Sequence, residues 1–422
     1  MSETAKQDLD TEEVQAPEQV PQFYNDPYLR DTKAPVQLLG TAMLVNPLPD
    51  HTSSQRLMMF SNHLPQAQMI RGCEQPRVFT GYESVFGDYE FNTTERDQDI
   101  QIREVIPKFA VNVGAHIITE NPYHIIVYRG DRDNKIGYFT LDKFTMRSEG
   151  FGYRNTWIQE NVMQLNRGNY IPKDLKLCTS PAHKGNMYMQ GTNLRVAYMS
   201  LPEVTEDAFI ISESAAKKFE TETYGKVSFK ILPDQIPIDL YGTEEEYKFM
   251  PDMAEHVRED GILCALRTPT ATSIIYDMAP ENLRKVQYLH DMIIYAPPGS
   301  EIVDIDVVVN RACSSKLKTP KEVFSQVEKY RDAINVSNLR IWEAYQAAVK
   351  EGLQVTPAFN NLVSRAIGSL AIDNVRIPGF ARKATAKAVR RKEAIEFIYI
   401  TVTYRCVHKC TNGLKITNRY GG

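Results

Sequence analysis

The sequence predicts an α+β protein, and three observations carry that prediction. Residues 81 to 145 and 226 to 312 are rich in β-branched and aromatic runs broken by turn residues. Residues 319 to 392 switch to apolar spacing of helical period, with caps. A chain of 422 residues is long enough for two or three domains, each with its own core.

In chain order, residues 1–22 hold six acids against Lys6, with Pro17 and Pro21, and read as a disordered acidic tail. Residues 55 to 70 read as helix, which Pro65 is expected to kink or interrupt. Ile125-Ile126-Val127-Tyr128 and Gly137 to Leu141 flank a turn rich in Asp, Arg and Asn, a hairpin signature. Further strands are expected at 194–199 and 208–212. In the second β-rich stretch an acidic loop stands at Glu244-Glu245-Glu246. There Val303, Ile305 and Val307 alternate with Asp304 and Asp306, as on an amphipathic strand whose aspartates face water. No third ligand follows at metal spacing, so the strand outweighs a cation site.

Thr319-Pro320-Lys321-Glu322 combines an N-cap, a first-turn proline and an N3 glutamate. It opens a helix with Phe324, Val327, Ile334, Leu339, Trp342, Tyr345 and Val349 at helical spacing, which Gly352 can end. A second helix is expected from Thr356-Pro357 to about Ala371. Pro378-Gly379 breaks the chain, a short helix follows, and a strand runs from Glu396 to Thr403. Five units result: 1–22, 23–225, 226–318, 319–392 and 393–422.

Composition excludes several classes. The formal net charge of −4 is not that of a basic nucleic-acid coat. Six scattered cysteines suit free thiols in a reducing compartment. No signal peptide or membrane-spanning apolar run is visible, so a cytoplasmic protein without membrane partners is expected. The eight histidines mark no nucleophile–base motif with serine or cysteine, which disfavours a stand-alone hydrolase. His408 lies between Cys406 and Cys410, but no second pair lies nearby, so no zinc is expected.

Four segments carry chemistry. Residues 56–71 contain no acid yet hold Arg56, Asn62, Gln66, Gln68 and Arg71. Arginine forks suit phosphates, and carboxamides suit sugar hydroxyls and base edges. These groups suit holding a charged ligand rather than proton transfer. A second block runs Gly191-Thr-Asn193-Leu-Arg195-Val-Ala-Tyr-Met199, then Glu206-Asp207-Ala208 and Ser212-Glu213-Ser214. It reads as strand, loop and strand, with an acidic pair able to hold hydrated magnesium or simply to be a solvated turn. Lys383, Lys387, Arg390 and Arg391 line one helical side. They could track a nucleic-acid backbone, face solvent, or meet an acidic partner patch. The last block is Lys415-x-x-x-Arg419-Tyr420-Gly421-Gly422.

The order of these motifs resembles the second-largest (β) subunit of multisubunit DNA-dependent RNA polymerases. The run Arg56-x-x-Met59-x-x-Asn62-x-x-x-Gln66-Ala67, then Pro76 and Thr80-Gly81-x-Glu83, is similar to that family's Arg-x-Leu-Met-x-x-Asn-Met-x-x-Gln-Ala block and Thr-Gly-x-Glu turn. The second block resembles its Gly-x-Asn-x-x-Val-Ala-x-Met and Glu-Asp segment, although Pro202 to Thr205 departs from the family loop. The matches run in order from residue 55 to 422, more loosely through Tyr153-Arg154-Asn155-Thr156, Gly168 and Pro172.

The resemblance implies a barrel-like, hybrid-binding β-subunit core, a flap-like β region at 226–318 and a return to the core at 393–422. It implies Arg56 near the incoming triphosphate, Asn62 and Gln66 near the nucleotide and the RNA 3′ end, and Glu206 and Asp207 beside a second magnesium. Lys415, with Arg419, falls at the RNA-contacting motif, and Lys409 or Arg405 takes the second family lysine. It also implies a two-metal Mg²⁺ site ligated mostly by a partner β′ chain, because the family's aspartate triad is absent here. The chain stops inside the last motif, so the remainder of β is expected on another chain or as the continuation of a longer product. A split β of this kind most resembles those of giant tailed bacteriophages, acting in infected-cell cytoplasm. Expected partners are the remaining β and β′ parts, template DNA, nascent RNA and nucleoside triphosphates. Such a subunit is inactive alone. The alternative is a polymerase-derived nucleic-acid-binding or regulatory module without a catalytic role.

Overall fold

The computed structural model describes residues 39–67, 69–86, 98–109, 112–113, 116–117, 121–142, 144–149, 152–158, 165–173, 175, 177–179, 182–184, 187–189, 191–197, 199–204, 209–269, 281–310, 321–373, 375–379 and 397–410. The acidic tail, the cap at Thr319-Pro320 and the short helix expected after Gly379 lie outside the described residues.

The chain begins with helices α1 (Thr41–Leu44) and α2 (Ser54–Gln66). Strand β1 (Ile100–Pro107) is followed by the short pair β2 (Asn112–Val113) and β3 (His116–Ile117). Two hairpins come next, β4 (Tyr123–Gly130) with β5 (Lys135–Asp142), and β6 (Phe144–Glu149) with β7 (Gly152–Ile158). Four two-residue strands follow: β8 (Tyr170–Ile171), β9 (Cys178–Thr179), β10 (His183–Lys184) and β11 (Met187–Tyr188). Then come α3 (Glu213–Lys218), β12 (Glu220–Ile231), β13 (Ile236–Pro237), β14 (Ile262–Arg267), β15 (Met292–Tyr295) and β16 (Glu301–Asn310). The last elements are α4 (Lys321–Lys350), β17 (Gln354–Val355), α5 (Pro357–Ile372) and β18 (Phe397–Lys409).

These strands form open sheets: β17-β5-β4-β1-β8, β12-β18-β16, β13-β14-β15, β6-β7-β9 and two short pairs. No sheet closes into a barrel among the described residues. Closure needs every strand paired on both edges. The segments expected to supply strands at 194–199 and 208–212 sit in no ladder where they are described. Ser212 instead caps α3, its Oγ accepting from the Ala215 N–H. An N-cap serine followed by a first-turn glutamate is a helix start, and it outcompetes a strand end there.

Most other elements follow local chemistry. The hairpin between Tyr128 and Gly137 forms as expected. Gly352, at φ +71°, ends α4 with bonds from its own N–H to the Val349 oxygen (3.0 Å) and from the Leu353 N–H to the Ala348 oxygen (3.1 Å). The Thr356 hydroxyl accepts from the Phe359 N–H at 3.3 Å, and Pro357 occupies the first turn of α5. Thr356→Ala should cost about 1 kcal/mol, while Thr356→Ser should restore most of it; thermal melts that do not separate the two variants would refute the cap.

Helix α4, 30 residues long, spans about 45 Å at 1.5 Å per residue. Its first half packs Val327, Tyr330 and Ala333 on the core of β12, β16, β18 and β14. Its second half packs Ile341, Trp342 and Ala348 on Ile106, Ile125, Val127 and Ile136 of the five-stranded sheet, and on α5. Val349 stays 52 % exposed, and Ala348 takes the core position.

The two cores are also joined by charge. Asp304 and Asp306 alternate with buried Val303, Ile305 and Val307 on strand β16, as expected, and Asp306 is 55 % exposed, but their face also carries a buried cation. Both hold the Lys108 ammonium, at 2.6 and 2.5 Å, and that lysine side chain is 4 % exposed. A buried cation needs such partners. Burial alone would lower the Lys108 pKa; the two aspartates outweigh it and hold the ammonium above its ordinary value. The partner lies 196 residues away in sequence, beyond the reach of any local pattern.

Candidate functional site

Helix α2 carries the first motif. Leu57, Phe60 and Leu64 recur at helical spacing and are buried, with Phe60 and Leu64 packed on Val45, Met69, Phe86, Ala182 and Tyr188. At about 100° per residue, Arg56, Met59, Asn62, His63 and Gln66 fall in one sector of about 120° beside that stripe. Arg56 touches the Met59 sulfur at 3.7 Å, and among the described residues no carboxylate comes within ion-pair reach of it. Asn62 is exposed. Pro65 does not interrupt the helix, which runs through Gln66 and stops there. The Gln66 side chain lies outside the described residues.

The Thr80-Gly81-Tyr82-Glu83 turn closes on itself. The buried Glu83 carboxylate accepts from the Thr80 N–H (2.8 Å), the Thr80 hydroxyl (3.1 Å) and the Gly81 N–H (2.9 Å). Gly81, at φ +85°, takes a conformation that other residues rarely adopt. These bonds fix the local fold of the turn.

Between α2 and that turn, the chain is stitched to two distant segments. The Arg71 N–H donates to the Glu220 oxygen at 2.8 Å, and the Thr221 hydroxyl donates to the Met69 oxygen. The Glu74 N–H donates to the Gly191 oxygen at 2.6 Å. The Glu74 carboxylate accepts from the Asn193 N–H at 3.0 Å and from Lys218 Nζ at 2.8 Å. These donors, Lys218 first and then the Asn193 N–H, hold Glu74 down to about 2. Glu74 belongs to no sequence motif, because its partners lie 119 and 144 residues away. Its one local signal is that it is the first acid after an acid-free helix.

Every residue of β12 pairs with β18, from Glu220 opposite Lys409 to Ile231 opposite Ile398. Strand β18 thus extends well past the expected Thr403, and it carries both candidates for the second RNA-contacting cation. Arg405 is ion-paired to Glu301 and lies 4.0 Å from Glu222, which also meets Arg71 Nε at 3.1 Å. Lys409 is exposed at the strand end, with no ion pair among the described residues. Three blocks remote in sequence therefore meet near Glu220: the segment after α2, the Gly191–Asn193 segment and the end of β18. Glu206, Asp207, Lys383, Lys387, Arg390, Arg391, Lys415 and Arg419 lie outside the described residues.

No protein-family model matches this sequence. Over 345 residues it is 23 % identical to the DNA-directed RNA polymerase subunit beta of Chlorobium luteolum. The chain is similar to a bacterial RNA polymerase β subunit. The match covers 76 % of this chain and 25 % of that relative, so the chain spans about a quarter of the length of this β subunit. Mixed helix and sheet, with most strands in open sheets, agrees with a β-rich segment of such a subunit.

No group of three or more His, Cys, Asp or Glu side chains among the described residues is placed to hold a metal ion. Burial pushes the Cys73 thiol up to about 11, so it is unreactive near neutral pH. Among the described residues no helix is long and apolar enough to cross a membrane.

Proposed function

We propose that this chain is part of the β-type subunit of a multisubunit DNA-dependent RNA polymerase, forming one wall of the nucleotide-addition site and inactive alone. The meeting of the segment after α2, the Gly191–Asn193 segment and the end of β18 near Glu220 carries this reading, and the similarity to a β subunit supports it. Arg56 meets the incoming triphosphate, as an arginine with no carboxylate partner among the described residues can. Asn62 and Gln66 contact the nucleotide and the RNA end. Glu206 and Asp207 stand beside the second magnesium, whose role is to neutralise triphosphate charge during attack of the RNA 3′-hydroxyl. Lys415 and Lys409, with Arg419, contact the RNA, while Lys383, Lys387, Arg390 and Arg391 track the nucleic-acid backbone. The catalytic aspartates come from a β′ partner, and further β parts complete the subunit, as in giant-phage polymerases working in infected-cell cytoplasm.

The test is affinity capture of this chain from its source cell, followed by extension of an RNA–DNA scaffold by the captured complex. A partner bearing an aspartate triad and nucleotide incorporation are expected. Arg56→Ala should lower kcat/KM for the nucleotide about 10–100-fold with assembly intact. Capture of nucleic acid alone, with no triad-bearing partner, would favour the regulatory module instead. Extension by the purified chain without partners would refute its inactivity alone.

A further inference from the structure

We infer that Glu74 is a positioning residue: it clasps the Gly191–Asn193 segment to the chain leaving the Arg56 helix, and so sets the second motif against the first. This rests on the polymerase reading above.

A carboxylate has about four lone-pair sites, and Glu74 uses three of them on two other chain segments. One oxygen accepts from Lys218 Nζ (2.8 Å), the other from the Asn193 N–H (3.0 Å) and Asn193 Nδ2 (3.3 Å). Backbone bonds flank the clasp: the Glu74 N–H donates to Gly191 O (2.6 Å), and Asn193 Nδ2 donates to Gln75 O (2.8 Å). Gly191, at φ +118°, gives the bend that turns the segment into this clasp; open space surrounds its Cα, so backbone conformation alone favours glycine there. Asn193, read from sequence as one element of a motif, acquires a structural task. Its amide and its backbone both point at Glu74, and the chain continues from it to Glu206 and Asp207.

The contributions differ. Lys218 and Glu74 are both about half exposed, so that ion pair adds little by itself. The bonds to Asn193 fix the backbone, and backbone placement is what a reacting centre needs; displacement of about 1 Å can cost about a hundredfold.

The experiment uses the complex captured through this chain, with nucleotide kcat and KM measured on an RNA–DNA scaffold. Glu74→Ala should raise KM for the nucleotide at least about tenfold, with kcat changed far less and the melting temperature of the complex unaltered. Asn193→Ala should match it, and the double variant should be no worse than either, because both remove one clasp. Lys218→Met should stay within about twofold. Should Glu74→Ala fail to assemble, Glu74→Gln, which keeps one acceptor, is expected to assemble and to show a smaller KM rise. Wild-type activity with unchanged KM in the Glu74 variants, or additive effects in the double variant, defeats this inference alone. A wild-type complex that incorporates no nucleotide defeats the polymerase reading and this inference with it.

Discussion

Asp291→Ala is expected to lower stability by about 3–5 kcal/mol, read as a fall in the urea midpoint with an unchanged slope. Arg267 and Asp291 are buried, with side chains 2 % and 0 % exposed. The guanidinium forks onto the carboxylate, Nε to one oxygen and Nη2 to the other, both at 2.8 Å. Its remaining donors reach the Asn282 and Lys285 carbonyls, and the Gln287 N–H closes on Asp291 at 2.7 Å. Removing the carboxylate strands an arginine that cannot shed its charge. It also frees the 281–291 loop, because that loop folds around this one fork. Leu289→Ala, in the same loop but 93 % exposed, should change stability by less than about 0.5 kcal/mol. Equal losses in the two variants would refute the assignment.

Lys108→Met should cost a similar amount, about 3–5 kcal/mol, and its size should depend on pH. In the native protein the raised lysine pKa contributes stability that is present below the ordinary lysine pKa and is lost as pH climbs through the folded value. Without the lysine, Asp304 and Asp306 face each other across one site. Asp304 is already pushed up by burial, which Lys108 only partly opposes. In the variant its folded pKa rises further, so the folded state binds the extra proton. Stability of the variant should therefore recover as pH falls from neutrality through that raised pKa towards the ordinary carboxylate range. Denaturant melts across that range decide it: a pH-independent deficit would mean that the aspartates find water instead.

The elements legible in the sequence are those set by neighbours within a few residues. The Thr356-Pro357 cap, the Gly352 stop and the hairpin around Asp131–Asn134 each state their own geometry. Segments that need a distant partner are not legible in this way. Leu194, Val196 and Met199, then Phe209, Ile210 and Ile211, have strand-like composition, yet they are exposed and lie in no ladder among the described residues. Apolar β-formers do not make a strand without a neighbour to pair with. Conversely, β18 continues through Arg405, Cys406 and His408 because β12 and β16 supply ladders that local polarity cannot reveal. In the candidate site, Arg56 and Asn62 were visible because a helix displays its own faces. Glu74 was not, because its meaning lies in Asn193 and Lys218.

The order of synthesis gives the β12-β18-β16 sheet a particular history. Its central strand is made last. When β12 and then β16 leave the ribosome, neither has its neighbour, and at about 5–20 residues per second the stretch from Ile231 to Phe397 takes roughly 8–30 seconds to translate. Through that interval apolar side chains such as Phe229, Ile231, Ile305 and Val307 await the strand that will cover them. The nascent chain therefore needs shielding during translation, and the sheet assembles in one late, non-local step when β18 slides between its two waiting edges.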